Sequence, residues 1–179
     1  MCARFIAHEN SATHDRSEHL TDFEARLQAL LRQEDALQFA EFTNDTAFAV
    51  GLRLVEAARR DGLVLTVDIR RNGHQLFHVA LPGTSPDNDA WIERKNHVVN
   101  RFGHSSFYMG TLFASQQSTL EERALLDPRE YAAHGGAFPV IIKGVGPIGT
   151  ITVSGLPQEE DHALVVRVVA DYLGVALDA

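Results

Sequence analysis

Residues 63–81 read LVLTVDIRRNGHQLFHVAL, two runs of β-forming residues around Asn72-Gly73. Asn-Gly is the dipeptide best suited to the left-handed dihedrals of a two-residue hairpin turn, so the stretch predicts an antiparallel pair of strands. Pairing Arg71 with His74 sets the register. Ile69 then faces Leu76, Asp68 faces Phe77 and Val67 faces His78. Leu65, Val67, Ile69, Leu76, His78 and Ala80 share one side, and Val64, Thr66, Asp68, Arg70, Phe77 and Val79 the other. His78 is thereby expected on the more apolar side.

Upstream, LTDFEARLQALLRQ (20–33) carries Thr21 and Glu24 in capping-box spacing and sets Phe23, Leu27, Leu30 and Leu31 on one helical face. ALQFAEF (36–42) reads as a short edge strand. Asn44 is the expected cap of a helix running through Arg60, with Phe48, Leu52 and Val55 as its apolar stripe and Gly62 as its stop. Downstream, one helix is expected from Pro86 or Asn88 to Gly103, another from Ser105 or Ser106, and a short one around Leu120 to Leu126. Asp127-Pro128 predicts one more helical turn through Tyr131, stopped at Gly135.

AFPVIIKGVGPIGTITVSG (137–155) gives a second hairpin, and the stretch after it a last helix from Pro157 to Gly174. In that helix Leu164, Val165, Val166, Val168, Val169, Tyr172 and Leu173 wrap wider than one face, which points to burial on two sides and supports assembly of copies. Helices alternating with antiparallel hairpins mean α+β: two hairpins and an edge strand in an antiparallel sheet, with helices packed against it. Residues 1–17 read as a flexible polar tail and 18–179 as a single domain.

The chain of 179 residues has 24 acids against 16 bases, a net charge of −8. That balance argues against a nucleic-acid footprint and against an anionic membrane surface. Its one cysteine, Cys2, forms no internal disulfide and suits a reducing compartment. With no apolar run of membrane-spanning length and no secretory signal at the start, the expectation is a soluble, cytoplasmic protein.

GVGPIG (144–149) spells a dinucleotide-binding string, but that motif needs a helix after it, and here a strand comes next while Pro147 removes an amide. VSG (153–155) is no nucleophile elbow, because Thr152 stands where glycine is required. No two of the nine histidines stand four apart on an expected helix, and Asp161 and His162 are adjacent and point apart on a helix, so no metal site is expected.

Four places remain. His134 precedes Gly135-Gly136: it either complements the end of a short helix or stands beside glycine amides that an anion or flat ligand approaches. His78 is either a hydrogen-bonded core residue or the polar handle of a pocket. Thr84, Ser85, Asp87 and Asn88 form a stiff loop that ties a strand exit to a helix start. Arg101 and His104 flank a break between helices, where a cation and an imidazole meet a carboxylate or phosphate or Arg101 complements the end of the preceding helix, and Trp91, one turn from Lys95, is expected in the core.

Taken together, VDIRRNGHQLFHVALPGTSPDND (67–89), RFGHSS (101–106), AAHGGAFPV (132–140) and GVGPIGTITVSGLPQEEDH (144–162) resemble the GlcG and HbpS-like superfamily, whose domain is labelled haem-degrading, and within it the cytosolic branch of bacteria and fungi. The resemblance implies a profilin-like layering of sheet and helices, a homo-oligomer, and haem as the cofactor of some relatives. It leaves two main readings, with a small-molecule enzyme of unknown reaction as a third. In the first, the chain binds haem or a small anion, with weak haem-degrading activity as an extension. His78 or His134 then meets iron or a propionate, Lys95 and Arg101 meet carboxylates, His104 borders the pocket, and Gly135 and Gly136 allow close approach. In the second, it is a non-catalytic homo-oligomeric scaffold whose loops make subunit contacts. Neither the residues nor the resemblance assigns a catalytic group.

Overall fold

The computed structural model describes residues 6–177, with side chains from residue 21 onward. In chain order the elements are α1 (Ile6–Ala36), β1 (Gln38–Phe39), α2 (Asn44–Asp61), β2 (Thr66–Arg71), β3 (His74–Ala80), α3 (Pro86–Phe102), α4 (Ser106–Ser115), α5 (Leu120–Ala124), β4 (Ala137–Ile142), β5 (Gly146–Ser154) and α6 (Gln158–Leu173). Among the described residues the strands form one sheet in the order β1-β4-β5-β2-β3. It is antiparallel except where β1 runs parallel to β4. The fold is α+β, as the two hairpins predict. The first helix is longer than expected: α1 runs through Thr21 and into the segment read as a tail.

Alternation along the strands gives the sheet two unlike faces. One face carries Leu65, Val67, Ile69, Phe138, Val140, Ile151 and Val153, fully buried against α2 and α6. The apolar wrap of α6 is absorbed there, inside one chain, so it gives no support to assembly. The opposite face carries Thr66, Asp68, Thr150, Thr152 and Ser154, all buried, and receives α3. A second apolar cluster of Val98, Met109, Phe113 and Leu120 joins α3, α4 and α5.

Three local expectations are corrected. The Arg71–His74 pair forms, but a bulge between Ile69 and Arg70 shifts the rest of the ladder, so Ile69 faces Phe77, Asp68 faces His78 and Val67 faces Val79. One extra residue flips every later side chain. Phe77 therefore joins the apolar face and His78 the polar one. In α2, Thr43 is the cap, through a reciprocal bond with Thr46. Its core face is Ala47, Val50, Leu54 and Ala58, while Phe48 is 57% and Leu52 41% exposed. The turn expected after Asp127-Pro128 forms at 128–130, closed by Glu130 and Tyr131 N–H donating to Asp127 O, but no helix continues to 134, and the left-handed glycine is Gly136 (φ 123°) rather than Gly135.

Candidate functional site

The segment before β4 is held from two sides. Ala132 N–H donates to Arg94 O (3.0 Å), and His97 Nδ1 lies 2.7 Å from Glu130 O, which fixes it to α3. On the other side α4 presses so close at Gly110 that a Cβ there would stand 2.2 Å from Ala133 O. His134 is left exposed at the lip, edge-on to Trp91 with ring centroids 5.3 Å apart. Arg94 stacks on the same indole at 4.0 Å. Burial of its inner edge pushes the His134 imidazole below its ordinary value, and the nearby Lys95 and Arg94 cations push it the same way against Glu121.

Trp91 and His134 are shared walls of two hollows. The first, about 420 Å³, is a trough whose apolar side is Phe113, Leu120, Pro128 and Tyr131, with Arg94 and Glu121 as charged members. That volume lies within the range of roughly 300–1,000 Å³ common for small-molecule sites. The second, about 250 Å³, is polar and is lined by Asp87, Asn88, Lys95, Ser154, Gln158 and Asp161. At its base Lys95 and Asp161, 4% and 1% exposed, form an ion pair at 2.8 Å. Lys95 Nζ also donates to Val153 O (3.2 Å), and Asp161 accepts from Leu156 N–H (3.1 Å). Burial drives the two in opposite directions, Lys95 down and Asp161 up, against their mutual attraction.

The predicted residues thus fall into two groups. Lys95, His134, Asp87 and Asn88 share the polar hollow. Thr84 and Ser85 serve the loop beside it: Thr84 Oγ1 donates to Leu81 O (2.7 Å), Ser85 N–H donates to Asn88 Oδ1 (2.9 Å), and Asn88 Nδ2 donates to Ser154 O (3.2 Å). Gly135 and Gly136 are buried, and they make room for the chain's own atoms. A Cβ on Gly136 would meet Lys95 Nζ at 2.6 Å, and one on Gly135 would meet Gln158 O at 2.0 Å.

The others lie elsewhere. His104 Nδ1 is 2.6 Å from Glu34 Oε2 of α1, and Arg101 is exposed in the last turn of α3. His78 stands between two acids, Nδ1 3.3 Å from Asp68 and Nε2 3.3 Å from Asp89. Asp68, wholly buried, anchors a polar cluster. Arg70 Nε lies 2.8 Å from it, and Gln75 (2.5 Å) and Asn96 (3.2 Å) donate to it. Asn96 in turn accepts from Thr152 (2.5 Å), and Arg70 forks onto Glu93.

Sequence reasoning misses Trp91, Arg94 and Asp161 as site residues. The signal for the first two is the spacing of Trp91, Arg94 and Lys95 at i, i+3 and i+4 on one helix face.

Residues 42–170, most of this sheet and its helices, match the family described as haem degrading protein HbpS-like. The chain belongs to the HbpS-like family. A UPF0303 protein of Streptomyces avermitilis is 55% identical over 141 residues, 79% of this chain and 86% of the relative. Among solved structures, that of Ybr137w protein superposes with a TM-score of 0.79 at 35% identity, covering 88% of this chain and 95% of the other. The crystal structure of HbpS gives 0.59 at 26% identity, covering 76% and 93%.

Proposed function

We propose that this HbpS-like chain is a cytoplasmic binder of haem, or of a flat anionic molecule with the same chemistry, and that the trough beside His134 is the seat. The carrying observation is one exposed imidazole at the lip of an apolar trough that also holds a guanidinium. Haem asks for those three features: an imidazole nitrogen for iron, an apolar wall for the ring, and a cation for its carboxylates. His134 would hold the iron, Phe113, Leu120 and Tyr131 would cover the ring, and Arg94 would meet a propionate. Bound haem would supply a redox-active iron, while the protein supplies binding and orientation. Absorbance titration of the purified chain with hemin tests this. A saturable Soret band is expected, and a spectrum that tracks free hemin throughout contradicts it.

A homo-oligomeric form is the second reading, supported by Phe48 and Leu52 exposed on α2. Light scattering after size exclusion tests it, with a multiple of the 19.7 kDa chain mass expected and a monomer at micromolar concentration against it.

A further inference from the structure

The polar hollow is separate from the trough, and its chemistry does not depend on haem. The chain has 16 Lys and Arg residues, of which two are lysines, Lys95 and Lys143. Lys143 is exposed in the turn between β4 and β5, whereas Lys95 is buried in a hollow against a carboxylate. Arginine is the residue best suited to a buried ion pair, since its planar fork holds a carboxylate by two bonds. A lysine at the buried position of an arginine-rich chain offers chemistry that only an amine performs.

We infer that Lys95 is a nucleophile toward small neutral aldehydes, which enter the hollow of about 250 Å³ and form an imine on Nζ. The hollow's size suits a small ligand, and the Asp87 and Asp161 carboxylates in the wall disfavour a second negative charge. The step is balanced within the pair. Asp161 Oδ2, 2.8 Å away, takes a proton from the ammonium and frees the Nζ lone pair. Nζ bonds to the carbonyl carbon as the C=O π electrons move to oxygen, and a proton from nitrogen passes to that oxygen, giving a carbinolamine. Asp161 returns its proton to the hydroxyl, which leaves as water. The product is a protonated imine beside a restored carboxylate, with no change of oxidation state. Burial favours the neutral amine and the protonated acid, the forms this exchange requires.

Lys143 is the built-in reference amine. The full chain is treated with propanal and cyanoborohydride at neutral pH, and the propylated lysines are quantified by peptide mass mapping. Lys95 is expected to be modified at least tenfold faster than Lys143. Asp161→Asn should slow Lys95 and leave Lys143 unchanged, and Lys95→Arg should remove the fast adduct while circular dichroism reports an intact fold. Should Lys95 react no faster than Lys143 in the wild-type chain, a comparison that needs no variant, the inference is overturned.

Discussion

Glu34 of α1 and His104 at the start of α4 meet at 2.6 Å, and the same carboxylate accepts the Ser105 N–H at 2.8 Å. The preceding residue, Gln33, has its Oε1 2.9 Å from His162 Nε2 on α6. Two consecutive residues thus tie α1 to two imidazoles that burial and charge move in opposite directions. Glu34 raises His104, with Asp35 adding to the effect, while burial lowers His162 from 6.5 to about 4, helped by Arg26.

Linkage sets the signs. A raised histidine contributes stability that is present below 6.5 and lost as pH rises through its folded value. The melting-temperature gap between wild type and His104→Gln should therefore shrink from pH 6 to pH 9. A constant gap would contradict the pairing.

His162 behaves the other way. Between 6.5 and about 4 the unfolded chain takes up a proton that the fold refuses, so stability falls as pH drops, by about 3 kcal/mol across the window. Urea melts at pH 7 and pH 4 should show His162→Leu losing less of its own stability on acidification than wild type does. Equal losses would mean that the ring is protonated without penalty.

Asp68 joins β2, β3 and α3 through Arg70, Gln75, His78 and Asn96. Removing a buried charge from such a cluster leaves its partners uncompensated. Asp68→Ala should cost about 3–5 kcal/mol in chemical denaturation, and Asp68→Asn less. A cost below about 1 kcal/mol for the alanine variant would place the stabilisation elsewhere.

The scaffold is legible in the sequence and the site only partly so. Asn72-Gly73 and the caps at Ser105 and Gly62 act through bonds within a few residues, and each forms as expected. His78 lies on the side opposite to the one its local pattern predicts, because the register of β3 against β2 shifts at Ile69/Arg70 although the turn pair Arg71–His74 forms as expected. Gly135 and Gly136 look bare in the sequence because nothing local says that Gln158 and Lys95 fill the space beside them. Trp91 reads as core since an indole most often is; its role as a wall between two hollows needs the segment at 131–134 to be in place.

Gly110 tests how that segment is held. Alanine normally favours a helix interior over glycine, yet here its Cβ would strike Ala133 O. Gly110→Ala should lose about 1–3 kcal/mol and weaken hemin binding by displacing His134. A stabilised variant with unchanged binding would show that the contact between α4 and residues 131–134 relaxes freely.

The most direct measurement is the hemin dissociation constant of wild type, His134→Ala and His78→Ala under one buffer. Binding should weaken at least tenfold in His134→Ala and stay within twofold in His78→Ala, whose ring sits between Asp68 and Asp89. Equal affinity in wild type and His134→Ala, or a loss confined to His78→Ala, would contradict the seat assigned to the trough.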